Sequence, residues 1–398
     1  MQGSRKRRKW PWIVLVVAVL LVTVFYVGGG WYFSSLIHSD ALAAKPYDPA
    51  GFWTGTVESV EGTGEQATIA VLPDAEHRDE TRFDGVVMGL QFDDGSVVVV
   101  GPASATAADG TRTRPVVDVV GQMPQQGAEY RFTKEVWLTP EQAGLTAQEI
   151  TLTTPSGEFP AWQVLVPGSD RWAVLTHGRG GDRHDMLRMA RPLHAAGYNL
   201  LLTTYAGDNT ARPAQDGIWH YGATEWDELE AAVQHAVDQG ATTLVMGGLS
   251  LGGAVTDAFL AHSALADQVD AVILDAPASS LRDIIDEGAE SRTFPVVGLA
   301  IPESLENVAM LIAAQRFGLD YDAIDYTDMA GLIDVPLLTF QTDEDQTIPQ
   351  AVNDRFMRAG SGSGGQYVVV PGAGHVLSWN ADPEAYEQTV AAFVGQLG

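Results

Sequence analysis

The sequence predicts an α/β protein: a mostly parallel sheet with helices on both faces, preceded by an apolar N-terminal helix and a small β-rich module. Three observations carry this. From about residue 149, short apolar runs alternate with helical stretches. Several runs, Ala271–Leu274 among them, are continuously apolar, as expected of strands buried on both faces. Within 223–239, Trp226, Leu229, Val233, Ala236 and Val237 recur at three- and four-residue spacing, which gives one apolar helix face to lay on such a sheet.

The N-terminus comes first in order. Residues 1–9 form a basic stub holding Arg5, Lys6, Arg7, Arg8 and Lys9, and the first acidic residue is Asp40. Residues 10–33 carry no charge. A helix needs about 20 apolar residues to cross a bilayer, and Trp10, Trp12, Tyr26, Trp31 and Tyr32 stand near the two ends, where amphipathic rings favour the interface. This predicts a single-pass signal-anchor at 10–33, with the basic stub cytoplasmic and everything beyond it extracytoplasmic. The rival reading is a signal peptide cleaved near Ala41-Leu-Ala43 to release a secreted form, but the apolar stretch exceeds the usual signal core. Residues 34–48 read as a linker.

Residues 49–136 read as a β-rich module. Runs at 51–60, 67–72, 86–92, 96–100 and 115–120 are rich in Val, Thr and aromatics and are bounded by Gly, Asp and Pro. Asp94-Gly95 marks a hairpin turn. No chemistry is evident there, so packing or spacing is its simplest role.

Residues 137–398 form the α/β domain. Its strands fall at 150–153, 161–166, 172–176, 199–205, 243–246, 271–274, 336–341 and 366–370. Residues 278–334 interrupt the alternation as a partly helical, lid-like insertion with apolar runs at 294–302 and 309–314.

One motif carries chemistry. Gly248-Leu-Ser250-Leu-Gly252-Gly253 follows a buried strand and opens a helix. A nucleophilic serine on a tight strand-to-helix turn needs neighbours without Cβ atoms, and the new helix aims free N–H groups at a developing oxyanion. A serine hydroxyl needs a base. Of nine histidines, His375 follows the last strand, in Pro371-Gly-Ala-Gly-His375, where a loop at the carboxyl edge of a parallel sheet faces the ligand crevice. An acid must then hold the imidazole tautomer. The preceding strand runs into Thr342-Asp-Glu-Asp345, which leaves Asp343 and Asp345 as candidates. The Arg179 N–H, in His177-Gly178-Arg179-Gly180-Gly181, and the Leu251 N–H are the expected oxyanion hole. His177, Asp182, His184 and Asp185 match no standard metal-ligand spacing, so neither a metal nor an organic cofactor is expected.

These residues resemble the α/β-hydrolase fold of serine hydrolases over about residues 136–398. The resemblance rests on His177-Gly178, Gly248-Leu-Ser250-Leu-Gly252, Asp345-x-x-Ile-Pro349 and Gly374-His375. It implies Ser250 as nucleophile, His375 as base and Asp345 as acid, since in that family the acid precedes a hydrophobic–Pro pair by three positions. Where the family usually carries a glycine before the acid, this chain has Gln341-Thr-Asp-Glu. The segment from Tyr205-Ala-Gly-Asp208 to Glu225-Trp-Asp-Glu-Leu is similar to bacterial membrane-anchored hydrolases, whose relatives include esterases and serine peptidases of the prolyl-oligopeptidase and aminopeptidase type.

Charge and composition bound the function further. The formal charge is −28, and from residue 10 onward 18 basic side chains face 51 acidic ones, a net of −33. This excludes nucleic acid as a partner, because polyanion binding needs clustered Lys and Arg. The absence of cysteine excludes a disulfide scaffold and a thiolate nucleophile. The expected protein is a membrane-anchored extracytoplasmic serine hydrolase cleaving an acyl bond, a carboxylic ester before an amide. Its expected partners are a small-molecule or peptide acyl substrate and, through residues 10–33, the lipid bilayer. A serine peptidase or amidase is the alternative enzyme, and a non-catalytic α/β-hydrolase-like binding module is the alternative outside enzymes.

Overall fold

The computed structural model describes residues 10–45, 47–48, 51–154, 156–214, 216–290, 292–294, 298–331, 333–359 and 365–397. The basic stub at 1–9 and positions 295–297 of the apolar insertion lie outside the described residues. The chain opens with helix α1 (Trp10–Leu42). Seven strands follow: β1 (Trp53–Glu61), β2 (Thr68–Pro73), β3 (Met88–Gln91), β4 (Val97–Val100), β5 (Ala105–Thr106), β6 (Arg112–Val120) and β7 (Glu129–Thr133). Next come β8 (Ala147–Thr154), β9 (Gly157–Val164), β10 (Arg171–Thr176), α2 (Leu187–Ala195), β11 (Asn199–Thr203), α3 (Trp226–Asp238), β12 (Thr243–Leu249), α4 (Leu251–His262) and β13 (Ala271–Asp275). The remainder is α5 (Leu281–Glu290), α6 (Glu303–Phe317), β14 (Leu337–Thr342), α7 (Gln350–Ala359), β15 (Gln366–Val370), α8 (Ser378–Ala381) and α9 (Pro383–Val394). These elements form two compact units, one of residues 1–43 and 285–323 and the other of 44–284 and 324–398.

In the smaller unit, α1 has 33 residues and is long and apolar enough to cross a bilayer. The sequence suggests a linker from residue 34, but the helix continues to Leu42. The reason is tertiary: its last turns have a partner in α6. Gly30 permits the approach, since a Cβ there would lie 2.8 Å from Val308 Cγ1 and 2.9 Å from Ile312 Cδ1. Phe33 packs with Leu305 and Ala309. Arg316 donates to Ser34 Oγ (2.6 Å) and Ser35 Oγ (2.9 Å) and stands over the Trp31 ring. The apolar residues of the insertion are therefore satisfied in large part by α1.

In the larger unit, β1–β7 form an antiparallel sheet in the order β2-β1-β7-β3-β4-β6-β5, and β2 also pairs with β6. That second pairing closes the sheet into a small barrel and removes most of its edges. Trp53 stacks on Phe132 inside it, with centroids 4.5 Å apart. The β7 segment, Glu-Tyr-Arg-Phe-Thr, escapes sequence reading because two of its five residues are charged.

Strands β8–β15 form the main sheet in the order β15-β14-β13-β12-β10-β11-β9-β8. β10 through β15 run parallel, and β8 and β9 add an antiparallel edge. The chain leaves β10 toward β11 on one side and returns to β12 on the other. This reversal opens a crevice at the carboxyl ends of β10 and β12, the usual ligand position of such sheets. One apolar core layer holds Leu193, Leu200, Val245 and Phe393. The opposite layer holds Trp172, Val233, Phe259 and Phe356.

The barrel touches the loop that follows β15. Ala373 and Leu377 join the barrel core. Asn380 accepts from the Val87 N–H (2.8 Å) through its carbonyl, and its side chain donates to Val87 O (2.7 Å) and Lys134 O (3.0 Å). A module that the sequence marks only as packing or spacing thus braces the loop that carries His375.

Candidate active site

Ser250 sits between β12 and α4 at φ +51° and ψ −116°. A non-glycine residue held there costs about 1–3 kcal/mol of backbone strain, and its surroundings over-determine it. Its N–H donates to Asp275 O (3.0 Å), and its carbonyl accepts from the Gly253 N–H (2.9 Å) and the Ala278 N–H (3.0 Å). Two flanking glycines are sterically required. A Cβ at Gly248 would lie 2.5 Å from Gly252 O, and one at Gly252 only 2.1 Å from Thr176 O. The turn therefore sets α4 directly against the end of β10.

His375 lies in the loop after β15. That loop is tied to the end of β14 by Thr342 Oγ1, which donates to Gly374 O (2.9 Å), and by the Glu344 N–H, which donates to Ala373 O (3.2 Å). His375 Nε2 stands 2.9 Å from Ser250 Oγ and Nδ1 stands 2.7 Å from Asp345 Oδ2. Asp345 is buried, and its other oxygen accepts from the Thr347 and Ile348 N–H groups, both at 2.8 Å. An ionised Asp345 has only acceptors to offer, so Nδ1 carries the ring proton and Nε2 is free to accept from the serine hydroxyl. Asp343, the other candidate from sequence, is exposed and accepts from the Gly372 N–H at 2.7 Å. Of the two aspartates, Asp345 is the one in contact with His375.

A second buried carboxyl, unmarked in the sequence, adjoins these residues. Asp275 ends β13 and accepts from Ser378 Oγ at 2.7 Å. Burial pushes it up to about 6, against the opposing pull of Ser378, Arg188 and His375. Through its carbonyl on Ser250 and its carboxylate on Ser378 it connects the serine turn to the histidine loop.

Gly178 lies against the serine: a Cβ there would be 3.2 Å from Ser250 Cβ and 3.8 Å from Oγ. The main-chain N–H groups of Arg179 and Leu251 have no hydrogen-bond partner among the described residues. A cavity of ≈ 180 Å³ opens beside Arg179, lined in part by Tyr47, Phe52, Thr133, Glu135 and Asp185. Two of these, Thr133 and Glu135, come from the barrel end. Asp182, His184 and Asp185 follow it closely in the chain, but the His177 ring bonds to Asp208, with Nε2 2.8 Å from Oδ2. Among the described residues no group of three or more His, Cys, Asp or Glu could hold a metal ion.

A strained serine at the end of a central parallel strand, with a histidine and a carboxylate in line, defines the hydrolase class of α/β folds. The sequence profile of the alpha/beta hydrolase family matches residues 164–389, more than half of the chain, and the protein belongs to that family. No curated protein matches the chain. Among solved structures, the esterase Pf2001 of Pyrococcus furiosus in space group P21 is similar at a TM-score of 0.52 and 19% identity, covering 66% of this chain and 97% of that one. Its C2221 form gives 0.51 and 19%, covering 66% and 95%. An esterase from Thermogutta terrifontis gives 0.45 and 20%, covering 63% of this chain and 99% of that one. For Pf2001, at 19% identity, the likeness is one of fold.

Proposed function

We propose that this hydrolase is a membrane-tethered serine esterase acting outside the cytoplasm. The observation that carries the reading is the unbroken line Ser250 Oγ–His375–Asp345, at 2.9 and 2.7 Å, built on a strained turn. Ser250 attacks the acyl carbonyl while His375 Nε2 takes its proton. The tetrahedral oxyanion accepts from the Arg179 and Leu251 N–H groups. His375 then protonates the leaving alkoxide, and a water, deprotonated by the same nitrogen, releases the acid. Asp345 keeps Nδ1 protonated and stabilises the imidazolium. Tethering is supported by the length and apolar character of α1, and orientation by the basic residues Arg5 to Lys9.

A fluorophosphonate probe applied to cells making the full chain tests both parts. The expected result is a labelled band in the carbonate-washed membrane fraction, absent for Ser250→Ala. Folded protein that takes no label refutes the serine mechanism, and label found only in the soluble fraction refutes the tether. Turnover of p-nitrophenyl esters against aminoacyl nitroanilides then decides ester from amide.

A further inference from the structure

His177 is one residue before the expected oxyanion loop, is wholly buried, and takes no part in the reaction as written. Both of its ring nitrogens meet acceptors. Nδ1 is 2.9 Å from Gly178 O and Nε2 is 2.8 Å from Asp208 Oδ2. A carbonyl only accepts, and so does an ionised carboxylate, so satisfying both contacts requires two N–H donors on the ring. The ring also lies flat on Tyr205, with centroids 4.7 Å apart, a favourable arrangement for a cation. Asp208 is fixed in turn by the Tyr205 N–H, which donates to the same Oδ2 at 2.8 Å.

The carbonyl that His177 contacts belongs to the peptide whose N–H is the Arg179 donor. That carbonyl accepts three hydrogen bonds: from His177 Nδ1 (2.9 Å), Tyr205 Oη (3.0 Å) and the Gly181 N–H (3.1 Å). In a trans peptide the C=O and N–H point in opposite directions. Holding the oxygen inward therefore holds the Arg179 N–H outward, away from His177, and the neighbouring Gly178 borders Ser250. Three donors on one carbonyl also polarise the amide and strengthen its N–H as a donor.

We propose that His177 is a doubly protonated imidazolium paired with Asp208, and that together with Tyr205 it positions and polarises the Gly178–Arg179 peptide as an oxyanion donor. His177, Asp208 and Tyr205 are positioning residues, since they act through the peptide and touch no reacting atom. The inference rests on the serine-hydrolase reading above.

Burial raises the Asp208 carboxyl above its ordinary range, while the His177 charge, the His177 hydrogen bond and the Tyr205 N–H pull it back down. Burial works against the His177 charge, but Asp208, the Gly178 carbonyl and Asp182 outweigh it and hold the ring up to about 9. The charged groups facing it are Asp182 and Asp185 from the segment after β10 and Asp208 from the segment after β11, and the Tyr205 phenol, itself raised by burial, stays neutral. A group raised above its ordinary value of about 6.5 stays charged through neutral pH and loses its proton only as pH climbs through about 9. The positioning contact is then present below that pH and weakened above it.

Two measurements on the full chain in detergent test this. The first is long-range proton–nitrogen NMR of ¹⁵N-histidine-labelled wild type. One of the nine rings is expected to keep two N–H protons at pH 8 and lose one near 9. If no ring holds two protons at pH 8, the proposal is overturned. The second is the pH profile of kcat for p-nitrophenyl butyrate. Wild type should fall as pH rises through about 9. Asp208→Asn keeps a polar partner for each contact but no charge. It should lower kcat about ten- to a hundredfold, below the full loss of an oxyanion donor, leave KM within about twofold, and abolish the alkaline limb. Tyr205→Phe should lower kcat severalfold and keep that limb. A flat wild-type profile to pH 10.5, or an Asp208→Asn enzyme with unchanged kcat, overturns the positioning role. A wild type that hydrolyses no ester while one ring keeps both protons at pH 8 defeats the hydrolase reading and the oxyanion role with it, and upholds only the imidazolium.

Discussion

Replacing Asp345 by asparagine exchanges one oxygen for an NH₂ group, and the structure dictates where that NH₂ must go. Oδ1 accepts from two main-chain N–H groups, Thr347 and Ile348, each at 2.8 Å. An amide nitrogen cannot occupy that position without opposing two donors, so the asparagine oxygen takes it. The NH₂ then falls at the Oδ2 position, 2.7 Å from His375 Nδ1. Nδ1 must now accept, the ring proton moves to Nε2, and Nε2 points a hydrogen at Ser250 where it should take one. Fold and packing are preserved while the base is held in the wrong tautomer. The corresponding change in a serine protease lowers kcat about 10⁴-fold, roughly 5 kcal/mol at 1.4 kcal/mol per tenfold, and a loss of that order is expected here. Asp343→Asn is the paired control. Its Oδ1 accepts one N–H, from Gly372, which an asparagine oxygen serves equally well, so kcat should change less than about threefold. The assay is kcat for a p-nitrophenyl ester, with thermal unfolding to show that both variants fold. An Asp345→Asn enzyme retaining more than a tenth of wild-type kcat, or a parallel loss in Asp343→Asn, would refute the reasoning.

Two stability predictions follow from the core. Asp257 on α4 is wholly buried, accepts only from Ser279 Oγ at 3.2 Å, and has its other oxygen without a hydrogen-bond partner among the described residues. Burial raises its carboxyl well above the ordinary value, so the folded state binds a proton more tightly than the unfolded one, and stability falls as pH rises from about 4. Asp257→Asn does not titrate. It should gain on the order of 1 kcal/mol in urea unfolding at pH 8 and nothing at pH 4, whereas an equal gain at both would show that the ionisation is not the cause. Gly252→Ala places a methyl 2.1 Å from Thr176 O and 2.5 Å from His177 O, both main-chain atoms. It should cost about 3 kcal/mol or more and collapse kcat, and an unchanged Tm would contradict the close packing of α4 on β10.

Much of the architecture was legible in the sequence because its signals are local. The eight strands of the main sheet are apolar or alternating runs, and 366–370 matches β15 to the residue. The serine turn is a six-residue pattern, and His375 is marked by its place after the last strand. Other features depend on partners far along the chain. β7 becomes a strand because β1 and β3 flank it, and α1 extends past residue 34 because α6 receives it. The run 199–205 stops as a strand at Thr203 because Tyr205 enters the turn that Asp208 closes.

By itself, the sequence determined the fold class and marked Ser250 and His375 as candidates, because periodicity and turn chemistry act over a few residues. The family resemblance already pointed to Asp345 over Asp343; tertiary structure brings Asp345 to His375, sets Asp275 and Ser378 beside it, and packs the barrel against the histidine loop through Asn380. It also decided the fate of His177, which stands among possible metal ligands in the sequence and in the fold turns to Asp208. Each of these rests on a contact between groups roughly 30 to 300 positions apart in the chain. The direction of a side chain across such a gap is set by the packing of whole elements, and no local pattern of residues encodes it.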